Sequence, residues 1–469
     1  MKEVFNLYNT LTRQVEPIRP LQADRLTVYT CGPTVYGDAH IGNFRTFIYE
    51  DTLVKALRYF GYRVKWVMNI TDVGHLTSDR DEGEDKLEVG ARREGTTAWA
   101  VAKKYEQSFL ADSAALRMAK PDRLVRATDC IEQQITLVQE LEAKGYTYCI
   151  SDGIYFDTSK FPTYGQMARL DIAGLQAGAR VAMQEEKKHP TDFALWKFSP
   201  TDRTRDMEWS SPWGTGFPGW HLECSAIAMS TLGKQIDIHC GGTDHIPVHH
   251  TNEIAQSEAA TGKQFARHWM HTDHLLVNGG KMSKSLGNLY TLADVTARGF
   301  DPLALRLLYY GASYRSKQNF TWHSLETNQK LLDRLRQQAA ELPETGEDTG
   351  NAAAPLAAFR AALANDLNMP AAVAALIETM KSPLDPAAKR AFVTEVERVL
   401  SLGLLQEPEK ATAIPDKIRQ LAAAREERRR EGKWDEADAI RRNIEAAGYE
   451  LRDAVGGGKS QIRKKAQSK

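Results

Sequence analysis

Thirteen residues, GGTDHIPVHHTNE from 241 to 253, carry three histidines, an aspartate and a glutamate. Side chains at this density serve metal ligation, proton transfer or nucleotide contacts, because each offers a lone pair or an exchangeable proton. His249 and Glu253 are four residues apart, so on a helix they project from one face. Upstream, HIGN at 40–43 opens a helical run, where free backbone N–H groups and the helix dipole favour a phosphate. Taken alone, His40 reads more plainly as a cap of its own helix. Downstream, KMSKSLGN at 281–288 sets Lys281 and Lys284 among small residues of a loop. Mobile point charges there suit the charge that develops on a departing pyrophosphate, although a solvated basic loop is the plain alternative.

The elements that must position these residues read as a parallel α/β sheet. LTVYTCGPTVY is a strand running into a Gly/Pro turn, HIGNFRTFIYEDTLVKALRYFGY a helix stopped by Gly61, and RVKWVMNIT the next strand. Such a βαβ unit places ligands at the carboxyl ends of its strands. QIDIHC, ending at Gly241 and Gly242, resumes the sheet after an insertion, and HTNEIAQSEAATG reads as a helix stopped by Gly262. A helical pattern covers roughly 97–145, and YTYCIS reads as a strand with Cys149 buried. Beyond Tyr314 the pattern is helical and ends in a charged hairpin turning at Gly432, followed by GGGKSQIRKKAQSK, which reads as a mobile tail.

The chain has 469 residues, enough for about three domains, and 61 basic residues balance 61 acidic ones. No apolar run resembles a membrane span and the N-terminus lacks a signal-peptide core, so the cytoplasm is the expected compartment. Five scattered cysteines form no disulfide framework. Charge is uneven: from 411 onward fifteen Lys and Arg stand against ten Asp and Glu.

HIGN and KMSKS in this order resemble the two signatures of the class I aminoacyl-tRNA synthetases. YTCGPTVY, NITDVGH, PGWHLECSA, GGTDHIPVHHTNEIAQSEA and KMSKSLGN resemble, more narrowly, the motif series of the cysteinyl-tRNA synthetase family, with similarity over essentially the whole chain. The resemblance implies a doubly wound Rossmann-like parallel sheet with an insertion, followed by all-α C-terminal domains. It implies one zinc ion on Cys31, Cys224, His249 and Glu253. It also implies ATP with Mg²⁺, L-cysteine and tRNA(Cys) as partners, no membrane, and a monomer. An N/S/O donor set suits zinc, whereas two buried thiols acting as small hydrophobes is the commoner fate of such cysteines.

By the same resemblance Gly32, Thr71 and Trp220 line the amino-acid pocket, and Gly242 and Asp244 meet the nucleotide. His40 and Lys284 act on ATP, assisted by Lys281. Asn43 stands where the more familiar signature has histidine; it keeps a hydrogen-bond donor and loses the titratable charge. Arg429, Trp434, Asp438 and Asp453 match the family's anticodon contacts, while a packed tryptophan on a solvated hairpin is the local alternative. Two thiolates and a carboxylate exceed the charge of Zn²⁺ by one, and His221 and His250 are expected to offset that excess.

The expected division is a first catalytic half at 1–120, an insertion at 121–205, a second catalytic half with the zinc site at 206–275, a KMSKS and stem-contact region at 276–330, a helical bundle at 331–410, and an anticodon-binding helical domain with a basic tail at 411–469. The reaction expected is cysteine activation by ATP and transfer to tRNA. The alternatives are a mycothiol-pathway ligase joining cysteine to an amino sugar, whose family lacks an anticodon domain, and a non-catalytic zinc protein that binds RNA.

Overall fold

A computed structural model describes residues 4–23, 25–74, 84–170, 186–202, 204–283, 286–343, 351–405, 416–452 and 461–464. Five strands build the central sheet: β1 (Arg25–Thr30), β2 (Arg63–Ile70), β3 (Arg123–Arg126), β4 (Ile236–Gly242) and β5 (Ala266–Thr272). All pair in parallel, in the spatial order β5-β4-β1-β2-β3. The order reverses between β1 and β4, and a doubly wound sheet opens its ligand crevice at that switch point. Cys31 follows β1 there, and Gly241 and Gly242 end β4. The strands are buried on both faces, which is why they read as apolar runs rather than alternating ones.

Three helices carry the site. α1 (Ile41–Tyr59) packs on the sheet through Phe44, Ile48, Leu53 and Leu57. α2 (Trp220–Leu232) buries Leu222, Cys224 and Ile227, and α3 (Thr251–Thr261) ends at Gly262, whose φ of 69° terminates the helix in the left-handed region. An N-terminal hairpin, Asn6–Asn9 paired with Gln14–Pro17, covers the edge strand β5. Thr10 N donates to Trp269 O at 2.9 Å and Asn9 Nδ2 to Arg267 O at 2.8 Å.

β3 belongs to the central sheet, and a separate four-stranded antiparallel sheet ends with Gly216–Pro218. Two expectations need correction. The helical pattern over 97–145 is two helices, Ala98–Ala115 and Ile131–Ala143, separated by β3. Cys149 is exposed, since its strand, Thr147–Ile150, is the edge of the four-stranded sheet.

Beyond the strand Gln318–Phe320 the described residues are helical up to the hairpin of Asp416–Arg430 and Trp434–Ala446, which turns at Gly432. A short antiparallel ladder of Tyr449–Arg452 with Gln461–Lys464 follows, so part of the tail read as mobile is a strand.

Candidate active site

The end of β1 and the two helices flanking β4 bring four distant residues together. Cys31, Cys224, His249 and Glu253 each offer a ligand atom within 4.8 Å of the others, and all four are buried. Cys224 begins the second turn of α2. His249 lies in a short π-helical turn, Ile246–His250, that runs into α3, where Glu253 occupies the first turn. The two sulfurs are 4.0 Å apart and His249 Nε2 is 3.0 Å from Glu253 Oε1. Tetrahedral zinc with Zn–S near 2.3 Å requires about 3.8 Å between sulfurs, so the donors fit the ion.

The electrostatics favour a cation at the same place. Burial would raise the Glu253 carboxyl, but His239 and His249 hold it down at about 2. Burial likewise opposes ionisation of Cys224, yet the hydrogen bond from Cys31 and the pull of His249 bring it to about 7. Burial disfavours charge on His249, and Glu253 and Cys224 nonetheless raise it to about 10. His249 and the Cys31 thiol both hold protons beside the Glu253 carboxylate, and a metal ion bound there would displace them.

Burial, with His239, His271, His245 and His249 around it, pushes the affinity of His250 for a proton well below the ordinary range. His221 faces His249 with its Nδ1 2.9 Å from His249 Nδ1. That leaves His249 Nε2 as the ligand atom and makes His221 the partner that orients the ring. His239, which the sequence reading overlooked, sits on β4 with its Nε2 2.8 Å from Glu253 Oε2. A single histidine inside an apolar strand was its only signal. His239 and His250 also form a second possible donor set with Cys31 and Glu253, but that set has one sulfur and the first has two.

Of the residues expected to line a pocket, Trp220 lies against the cluster and Gly32 follows Cys31. The Trp220 ring lies 4.6 Å from the His249 ring and 5.1 Å from that of His221. Gly32 N donates to Asn69 Oδ1 at 2.8 Å, and a side chain at Gly32 would start 1.7 Å from Asn69 O, so only glycine fits. Thr71 Oγ1 accepts from Asn69 Nδ2 at 2.9 Å, which places it beside Gly32 on the same asparagine. Gly242 is buried at the end of β4, and Asp244 is exposed in the following turn.

The two signature motifs are adjacent. His40 caps α1 by accepting from Asn43 N at 3.1 Å, while Asn43 Oδ1 accepts from His40 N at 3.1 Å. This reciprocal cap shows how asparagine serves the fourth position without a titratable charge. Ile41 N donates to Tyr290 O at 2.8 Å, and Met282 Sδ stands 3.2 Å from where a side chain on Gly42 would begin. Lys281 is exposed, its carbonyl accepting from Asn288 Nδ2 at 3.1 Å. Lys284 and Asp453 lie outside the described residues.

Far from this site, Trp434 is 60% exposed at the hairpin turn, with the Arg429 guanidinium 5.8 Å from its ring centre. Asp438 is exposed one helical turn beyond. Arg429, Trp434 and Asp438 thus lie together on the C-terminal hairpin, on elements other than those that carry the Cys31 cluster.

Comparison with known proteins agrees with this arrangement. Residues 17–330 match the family model for the class I (C) tRNA synthetase catalytic domain. The chain is 50% identical over 452 residues to cysteine–tRNA ligase 1 of Burkholderia lata, covering 96% of this chain and 95% of that protein. It is 40% identical to the cysteine–tRNA ligase of Novosphingobium aromaticivorans, covering 96% and 95%. Among solved structures it resembles Mycobacterium tuberculosis methionyl-tRNA synthetase in complex with methionyl-adenylate, with a TM-score of 0.54 at 17% identity over 84% of this chain and 94% of the other, a likeness of fold.

Proposed function

The chain belongs to the class I tRNA synthetases of the cysteine branch, and we infer that it joins L-cysteine to the 3′ end of tRNA(Cys) in two steps that its own residues organise. A cysteine carboxylate oxygen attacks the α-phosphorus of ATP, forming cysteinyl-adenylate as the bond to pyrophosphate breaks. The terminal ribose hydroxyl of the tRNA then attacks the cysteinyl carbonyl, and AMP leaves. No residue becomes covalently attached, so catalysis consists of positioning and charge stabilisation.

Gly32, Thr71 and Trp220 hold the amino acid. Gly242 lets the backbone approach the nucleotide, and Asp244 accepts from the ATP ribose. His40, the N–H groups opening α1, Lys281 and Lys284 stabilise the charge that builds on the phosphates, with Mg²⁺ bound to ATP. Arg429 and Trp434 offer planes on which unpaired anticodon bases stack, and Asp438 and Asp453 accept from their edges. Cys31, Cys224, His249 and Glu253 hold zinc, which supplies a soft position that a thiolate fills well and a serine hydroxyl fills poorly. The gap between cysteine and serine is one atom, too small for pocket shape alone to police strongly.

The observation that carries this reading is the buried Cys31/Cys224/His249/Glu253 cluster at the sheet's switch point, with Trp220 against it. The amino-sugar ligase alternative would leave the helices beyond 411 without a task. Among the described residues no helix is long and apolar enough to cross a membrane. We place the reaction in the cytoplasm, in a monomer. The test is charging of unfractionated tRNA with labelled cysteine, with labelled serine in parallel. Cysteine charging without serine charging is expected; a folded, zinc-loaded protein that charges neither would overturn the reading.

A further inference from the structure

Two thiolates and a carboxylate on Zn²⁺ would leave one excess negative charge on a buried cluster, so the sulfurs need hydrogen-bond donors. One continuous line of polar atoms reaches Cys31 from the N-terminal hairpin. Cys31 Sγ is 3.3 Å from His250 Nε2, His250 Nδ1 is 2.7 Å from His271 Nε2, and His271 Nδ1 is 2.8 Å from Thr10 Oγ1. Both nitrogens of both rings are thus engaged.

The proton positions along this line follow from its two ends. An imidazole in its ordinary neutral form carries one proton and a thiolate on a metal only accepts, so the proton of His250 must sit on Nε2. Its Nδ1 is then a bare acceptor, which requires the proton of His271 on Nε2. The Nδ1 of His271 is then bare in turn, and the Thr10 hydroxyl is the group that fills it. Glu253 Oε1, at 3.8 Å from His250 Nε2, is too distant to take that proton from sulfur.

We propose that Thr10 is a positioning residue of the metal centre: its hydroxyl, acting through His271 and His250, directs a neutral N–H at the Cys31 thiolate. Threonine suits the far end because it donates without adding charge, whereas a carboxylate there would deepen the excess. Its backbone is pinned to β5 through Trp269 O, so the hydroxyl is held in register with His271. Thr10 also lies outside residues 17–330, the span matched to the family's catalytic domain.

This inference rests on the metal reading, and cobalt substitution separates the two. The full-length protein is loaded with Co²⁺ and its sulfur-to-cobalt charge-transfer band is recorded for wild type, Thr10→Val, Thr10→Ser and His271→Phe. Losing the hydrogen bond makes the sulfur a stronger donor and moves the band to lower energy. Thr10→Val and His271→Phe are expected to show that shift and to release Zn²⁺ to a chelator about 3- to 10-fold faster, while Thr10→Ser keeps the wild-type band and rate. A Thr10→Val band superimposable on wild type overturns the proposal, as does a Thr10→Ser band that moves with valine's. Wild-type protein that binds no cobalt overturns the metal reading and the proposal together.

Discussion

The metal cluster and the C-terminal hairpin both place aromatic and charged side chains on helices, yet they are built to opposite rules. Around Cys31 the rings of His221, His239, His249, His250 and His271 are buried, and each has a ring nitrogen paired with a neighbour. At the hairpin the described core is small, with Ile418, Ala422, Ile444 and Tyr449 buried, and Trp434 turned outward. A centre that must tell sulfur from oxygen benefits from side chains fixed before the substrate arrives. A surface that meets splayed nucleotides gains from exposed planes that adapt on binding. On the proposed function, precision is concentrated at the metal cluster and adaptability at the hairpin.

If that division is right, damage to the two regions must separate the two half-reactions. The largest effect is expected from Cys224→Ser, which should lose bound zinc and lower cysteine-dependent exchange of pyrophosphate into ATP by more than about 100-fold; retained exchange in metal-free protein would break the comparison. Lys281→Ala should lower the exchange kcat by about 10²-fold with the KM for cysteine unchanged, because its charge acts on the developing transition state. Trp434→Ala should raise the KM for tRNA about tenfold, the worth of one stacked base, and leave exchange untouched. Zinc affinity should rise with pH from 6 to 8 in a competition assay. His249 must shed a proton that Glu253 and Cys224 hold against burial, and Cys31, whose thiol burial pushes up, must shed another. The smallest effect is expected at Cys149→Ala, within twofold of wild type in charging, since this exposed edge-strand thiol belongs to neither region.

How far the sequence exposed this arrangement differed between the same two regions. The hairpin was legible locally: Gly432 marked its turn, and the charged helical pattern gave both arms. The metal cluster was legible only through motif resemblance, because Cys31 and Cys224 meet by the order β5-β4-β1-β2-β3, which no local pattern records. His239, His271 and Thr10 carried no signal of their roles in the sequence, since their partners lie on elements distant in sequence. Cys149 was misplaced for a related reason, as four strand-like residues do not reveal whether the strand will lie at a sheet's edge.

The central claim is that the substrate's thiolate joins a metal already held by two protein sulfurs. X-ray absorption at the zinc edge, on the purified protein with and without saturating cysteine, tests it most directly. The account predicts two sulfur neighbours without cysteine and three with it, and no third sulfur when serine is added instead. A sulfur count that stays at two in saturating cysteine, under conditions where cysteinyl-adenylate forms, would contradict it.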